Sequence, residues 1–321
     1  MATTTKKIQA KQPRATKVVR DAAAETTKAM IALLEEGVVP WHKPWTSEAS
    51  GVPTSLSTGK PYRGVNVFTL LIAGWVKGYS SPHWGTYRQI SERGGQVRKG
   101  EESTTVVFWK IIEKFEKQDN GEVKKVKIPL LRLFHIFNIE QADWAEDAKL
   151  PAAPIQVEDA DADPIEHADA LVAQYIEDGP SVTYKGSKAF YRPSTDEVFV
   201  PVLKDFESAE HFYSTLYHEL THSTGHDSRL KRTGIADGTF GAFGDAVYSQ
   251  EELVAEMGAA ILCALAGINQ SATQPASAAY LKHWIDALKG DNKLIIQAAS
   301  QAQKAVDLIV GTTFDTEEEA A

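Results

Sequence analysis

Apolar positions recur at a helical period from residue 16. In TKVVRDAAAETTKAMIALLEEG, Val18, Val19, Ala22, Met30, Ile31 and Leu34 fall close to one face, and Gly37 supplies a stop. A second helix is predicted over Asn66–Lys77. The period then shortens. STTVVFWKII (103–112) and KIPLLRLFHIFNI (127–139) are rich in β-branched, aromatic and aliphatic residues and read as strands. The intervening EKFEKQDNGEVKK holds Asn120-Gly121, a hairpin signal because both residues tolerate positive φ.

Further along, the pattern predicts a helix near 164–178. Two strands follow in SVTYKGSKAFYRPSTDEVFVPV, turning at Pro193-Ser194-Thr195-Asp196, with Glu197–Val202 as the expected sheet edge. Four helical segments come next: ESAEHFYSTLYHELTHSTG closed by Gly225, SQEELVAEMGAAILCALAG closed by Gly267, SAAYLKHWIDALK, and KLIIQAASQAQKAVDLIVG. Between the two patterned regions, AEDAKLPAAPIQVEDADADPIE is acidic, rich in Ala and Pro, and poor in large apolar residues, as linkers are. The expected class is α+β in two domains, each able to bury its own core: a small α+β domain over 15–145, a linker over 146–164, and a mainly helical domain with a short edge sheet over 165–312. A basic tail, 1–14, and an acidic tail, 313–321, flank them as disordered ends.

Charge separates the same two regions. Residues 1–145 carry 22 Lys+Arg against 14 Asp+Glu, whereas 146–321 carry 12 against 29. Six of the seven tryptophans also lie in the basic region, which points to two domains with different partners. The single cysteine, Cys263, sits in an apolar run and excludes an intrachain disulfide, as in a reducing compartment. MATTTKKIQAKQPRATK has no apolar leader segment, and the apolar stretch at 257–267 is too short to span a bilayer. These features predict a cytoplasmic monomer with no membrane partner.

The chemistry concentrates in YHELTHSTGH (217–226). On a helix, His218 and His222 stand one turn apart on one face and can aim two imidazoles at one cation. Glu219 takes the general-base position of this motif, and Zn2+, one per chain, suits the donor set. A third protein ligand is required. His226 is one candidate, although Gly225 ends the helix before it. Glu252 and Glu256, in SQEELVAEMGAA, are the others, one turn apart on a helix that is otherwise nearly all apolar after Leu253. This pair resembles the gluzincin pattern, with Glu252 as ligand and Glu256 as the acid that orients a ligand histidine, the reverse assignment remaining open. Gly258 allows a close approach to the His218 helix. Tyr213 and Tyr217 are candidates for holding an oxyanion. The set predicts a zinc metalloendopeptidase of the HExxH type.

The basic region pairs aromatics with cations, as single-strand grooves do. Its candidate nucleic-acid contacts are Trp41, Lys43, Trp45, Lys60, Tyr62, Arg63, Trp84, Tyr87, Arg88, Arg98, Lys99, Trp109 and Lys110. Composition alone equally fits tryptophans that anchor a core beneath solvating lysines.

Longer motifs carry a resemblance. PWHKPW, TGKPYRGVNVFTL, GYSSPHWGTYRQISERGGQVRKGEESTTVVFWK and LRLFHIFNIEQ resemble the N-terminal domain of ArdC-type antirestriction proteins, which is also found at the start of some plasmid primases. FYRPSTDEVFVP, YHELTHSTGH, DSRLKR and YSQEELVAEMGAA resemble the zincin-like C-terminal domain of the same family. The resemblance spans about 15–312. It implies a single-stranded-DNA-binding domain followed by a peptidase domain similar to the Spartan/SprT group, carried by plasmids or other mobile elements. The implied role is protection of incoming DNA from host restriction, with a protein substrate that is the chain itself or a host DNA-associated protein. Two other readings stay open: a non-proteolytic strand-coating protein with a structural zinc, and a primase-associated replication accessory.

Overall fold

The computed structural model describes residues 15–41, 52–117, 123–148, 150–151, 164–238, 246–268, 278–291 and 293–312. The predicted tails, most of the linker, and the Asn120-Gly121 turn lie outside these residues.

The chain opens with α1 (Ala15–Glu35), whose last turns bury Met30, Leu33 and Leu34. Gly37 follows with φ 78°, the left-handed backbone that favours glycine after a helix. Strand β1 (Thr54–Ser55), α2 (Val65–Lys77), β2 (His83–Thr86) and α3 (Tyr87–Glu92) lead into β3 (Gly95–Val97). The two predicted long strands are present as β4 (Thr104–Lys117) and β5 (Val123–Asn138), and β6 (Ala142–Trp144) follows. β4 and β5 pair antiparallel from Thr104↔Ile136 to Lys117↔Val123, in a sheet of order β1-β2-β5-β4. α2 is pinned to this sheet by Asn66. Its side-chain amide donates to the Val107 carbonyl at 2.7 Å and its oxygen accepts from the Val107 N–H at 2.8 Å.

The second half begins with α4 (Pro164–Asp178). A sheet of order β7-β9-β8 follows, from β7 (Ser181–Tyr184), β8 (Phe190–Arg192) and β9 (Glu197–Val200). The sequence predicted two strands here with Glu197–Val202 at the edge. Instead β9 is central, parallel to β7 and antiparallel to β8, and Val198, Phe199 and Val200 are buried. The three-residue β8 was masked by the KGSK and PST turns on either side of it. The helices are α5 (Ala209–Ser223), α6 (Ala246–Leu265), α7 (Ala278–Gly290) and α8 (Leu294–Val310). Among the described residues no helix is long and apolar enough to cross a membrane.

The architecture is the expected two-domain α+β arrangement, with a small core of its own in the N-terminal part, formed by Leu56, Ile90, Val97 and Ala142, and a main core that both parts share. One cluster runs from Met30, Trp41 and Phe68 through Leu216 and Leu253 to Trp284 and Ile295. α1 packs on α7, and α2, which packs chiefly on β4, also meets α8, so both N-terminal helices touch the C-terminal bundle. Trp41 and Trp284 meet edge to face with centroids 5.1 Å apart. Polar contacts rim this seam: Arg63 pairs with Asp307, Gln303 accepts from the Gly64 N–H at 3.0 Å, and Lys289 reaches Glu35 at 2.6 Å.

Candidate metal centre

α5 starts where Ser208 accepts a hydrogen bond from the His211 N–H at 3.2 Å, satisfying an otherwise open first-turn donor. The helix then carries His218 and His222 on one face. Their Nε2 atoms lie 3.1 Å apart. Two imidazole nitrogens converge at that distance when a proton or a cation sits between them. α6 brings in the third donor: the Glu252 carboxylate lies 3.5 Å from His222 Nε2 and 3.7 Å from His218 Nε2. Donor atoms of the three side chains all fall within 4.8 Å of one another. Two nitrogens and one carboxylate are a set that suits a divalent cation and leaves a position open. Two helices meet here because α6 has a glycine at the crossing. A Cβ on Gly258 would stand 2.6 Å from Thr221 Cγ2 and 2.7 Å from its Oγ1.

A layer behind the donors orients them. Glu251 accepts from His222 Nδ1 at 3.1 Å, which leaves Nε2 to face the centre. Glu251 is in turn held by Arg232, which donates to it at 2.8 and 2.6 Å. The same guanidinium donates to the Thr221 carbonyl at 2.8 Å and the Thr224 hydroxyl at 2.6 Å, closing the C-terminal end of α5. Burial works against charge on His222, but hydrogen bonds to Glu251 and Glu252 outweigh it and push its pKa up to about 10. Burial would likewise raise Glu251, yet Arg232 and His222 hold it below the usual carboxylate range. Glu256 Oε1 lies 3.8 Å from His218 Nδ1, the orienting position. Sequence reasoning missed both Glu251 and Arg232. Glu251 directly precedes the more obvious Glu252, and Arg232 lies in a turn with no periodic signal.

Glu219 sits beside the histidines, nearly inaccessible. Burial raises its pKa, while the two histidines pull the other way. The backbone of Tyr191, on β8, acts in the same direction as the histidines. β8 is therefore the strand that borders the centre.

Three sequence candidates are placed elsewhere. His226 lies beyond the end of α5, where its Nδ1 meets the Ser228 hydroxyl at 2.8 Å, outside the donor cluster. Tyr217 donates to the Ala168 carbonyl at 2.9 Å and Tyr213 to Asp169 at 2.9 Å. Both hydroxyls point to α4, because Tyr213 and Tyr217, one turn apart, share a side of α5 turned away from the histidines, so neither faces an oxyanion at the centre.

The nucleic-acid candidates also divide. Trp41, Tyr62 and Trp84 are core residues with at most 8% of their surface exposed, so none can stack a base. Burial pushes the Tyr62 hydroxyl to about 12. Arg63 is committed to Asp307 across the seam. Lys60, Tyr87, Arg88, Arg98 and Lys99 are on the surface. Of these, Arg88 pairs with Glu92 at 2.7 Å, and Arg98 bonds Glu101 at 2.9 Å and the Glu140 carbonyl at 2.6 Å. Trp75, absent from the candidates, is 42% exposed on α2. Lys43 and Trp45 lie outside the described residues, and Trp109 and Lys110 lie on β4.

An HExxH helix, a short mixed sheet and a carboxylate from the following helix define the zincin class, and residues 166–301 match the family described as zincin-like metallopeptidase. Residues 20–137 match the N-terminal domain of anti-restriction factor ArdC. The uncharacterized protein y4eC of Sinorhizobium fredii is 34% identical over 293 residues, covering 89% of this chain and 91% of that protein. A DNA primase TraC of Escherichia coli is 35% identical over 89% of this chain, but the match makes up only 27% of the primase. The metal-free crystal structure of antirestriction ArdC from plasmid R388 has a TM-score of 0.68 at 37% identity, covering 90% of this chain and 96% of that one. Its Mn(II)-bound form has a TM-score of 0.67 at 37% identity, covering 91% and 99%. The chain belongs to the ArdC antirestriction family. The zincin-like domain and the manganese-bound relative indicate a divalent-metal site, and His218, His222 and Glu252 form the one His/His/Glu cluster among the described residues.

Proposed function

We propose that this protein protects incoming single-stranded DNA from restriction, with strand binding in the N-terminal half and metal-dependent peptide hydrolysis in the C-terminal half. The observation that carries the hydrolytic part is the buried Glu219 carboxylate beside the converging Nε2 atoms of His218 and His222. His218, His222 and Glu252 would hold one Zn2+, and when bound it supplies a Lewis acid for a peptide carbonyl and for water. Glu219 would take a proton from the attacking water on its carboxylate and deliver it to the leaving amine. Its raised pKa suits both halves of the transfer. Glu251 and Glu256 keep the histidine Nε2 atoms turned inward. A substrate strand lies along β8, an edge among the described strands, by the strand addition that peptide grooves use. Strand binding rests on the family, on the primase relatives, and on the exposed Lys60, Tyr87 and Lys99.

The test is protection of incoming DNA in a restricting host, wild type against Glu219→Gln. Loss of protection with metal and DNA binding retained supports hydrolysis. Unchanged protection sinks it and leaves a strand-coating protein whose metal staples α5 to α6, a reading favoured by ligands drawn from two helices.

A further inference from the structure

The three-stranded sheet of the C-terminal half has two faces. Val198 and Val200 are buried toward α5, while Phe190, Arg192 and Phe199 alternate onto the other side. That outer side forms an open cleft of about 360 Å³. Its floor is a stacked pair of rings, Phe190 on Phe199, with centroids 4.6 Å apart and planes 22° from parallel. Phe190 is 38% exposed, so apolar ring surface faces solvent. Three cations surround it. Lys185 Nζ lies 5.1 Å from the Phe199 centroid, and the Arg192 guanidinium is 4.6 Å from Phe199 and 5.3 Å from Phe190. Lys188 lines the same cleft. Among the described residues, Lys185 and Lys188 have no ion-pair partner. The one acid, Glu197, is 4.0 Å from Arg192 and already accepts from Thr183 at 2.9 Å. This cluster stands out in a half of the chain where acids outnumber bases by 29 to 12.

Exposed ring surface and unpaired cations in one cleft select a ligand that is planar at one end and anionic at the other. We infer that this cleft holds a nucleotide unit of single-stranded nucleic acid, its base against Phe190 and its phosphates at Lys185 and Lys188. An acidic peptide would satisfy the lysines and leave the ring pair without a role. The site is separate from the strand binding proposed for the N-terminal half and does not depend on peptide hydrolysis. Two of its residues, Phe190 and Arg192, flank Tyr191 on β8, the strand whose backbone borders Glu219.

The experiment is photo-crosslinking of the full-length protein to a single-stranded oligonucleotide carrying 5-iodouracil, with the modified peptides mapped by mass spectrometry. A crosslink in the peptide containing Phe190 is expected. It should fall at least about fivefold in the Lys185→Glu/Lys188→Glu double variant and in Phe190→Leu, while N-terminal crosslinks persist. Both lysines are exposed, so the charge reversals leave the fold intact. Absence of any crosslink between 185 and 199, or a yield indifferent to both variants, overturns the inference. So does a hexaglutamate peptide that competes as well as an unlabelled strand of equal charge.

Discussion

Arg232 and Glu251 form a two-pronged ion pair with only 5% and 3% of their side chains exposed. The pair ties a turn after α5 to the start of the donor-bearing stretch of α6, and through Glu251 it fixes the His222 ring. Removing one partner leaves a buried charge uncompensated. Arg232→Met should therefore cost about 3–5 kcal/mol in unfolding free energy, read by urea denaturation of the metal-free protein. Glu251→Gln keeps the shape but removes the charge that orients His222. It should weaken metal affinity by roughly 10–100-fold in a chelator competition. Equal affinity in wild type and Glu251→Gln would show that the ring is held by packing alone.

The charge on His222 links pH to both stability and metal. In the metal-free chain its pKa is raised to about 10, above the ordinary value of 6.5. The stabilisation from protonated His222 is then fully present below the unfolded pKa and is lost as pH rises from there through the folded value. A metal must displace that proton from the ring. Melting temperature of the chelator-treated protein should fall between pH 7 and pH 10, while metal affinity rises over the same window. Titration calorimetry at pH 7 in buffers of different ionisation enthalpy should register about one proton released per metal.

Gly258 meets Thr221 where α5 and α6 cross, and Thr221 is fully buried with its hydroxyl donating to the Tyr217 carbonyl at 2.7 Å. Gly258→Ala places a methyl group inside contact distance of a side chain that has nowhere to turn. The helices must separate, at a cost of about 1–3 kcal/mol by thermal unfolding, and Glu252 moves away from the histidines. Bound metal per chain, by elemental analysis after dialysis, should drop in the same variant.

This crossing also shows which parts of the site a sequence can disclose. His218 and His222 are legible because helical spacing alone puts them on one side, Glu219 because it fills the motif's base position, and Glu252 because it stands one turn before Glu256, a carboxylate in an apolar helix, in a pattern like that of gluzincins. The fixing pair was not legible. Arg232 reaches Glu251 only through the tertiary path of a turn, and Glu251 reads as one more acid near a helix start. The long strands and most helices follow from period and length, whereas β8 is too short to show a period. The tryptophans carried the least information. The same residue type serves a stacking groove and a core, and only packing shows Trp41 and Trp84 to be core.

Two classes of basic residue in the N-terminal half should separate by charge reversal. Lys99 is exposed, so Lys99→Glu should weaken binding of a single-stranded oligonucleotide, reduce its salt dependence, and leave the melting temperature unchanged. Arg63 is spent on Asp307. Arg63→Glu should lower the melting temperature first, and Asp307→Arg in the same chain should recover part of the loss. Fluorescence anisotropy at two salt concentrations, beside thermal unfolding, reads both quantities.

The contact between Trp41 and Trp284 decides how far the two halves can be studied apart. Both rings are buried, at 0% and 1% exposure, and they pack on each other across the two halves of the chain. A fragment ending near residue 145 would expose Trp41 together with the faces of α1 and α2 that α7 and α8 cover. Burying a tryptophan of this size contributes about 3–5 kcal/mol, comparable with the whole stability of a small domain. The fragment should therefore show poor chemical-shift dispersion and dye-binding apolar surface, and Trp284→Ala should destabilise both halves in a single transition. Two separate transitions in that variant would mean that the N-terminal half holds itself together. Failure of an isolated fragment to protect DNA, taken alone, says nothing about where strands bind. The intact chain with Glu219→Gln, which keeps the shared core, is the decisive comparison between peptide hydrolysis and strand coating.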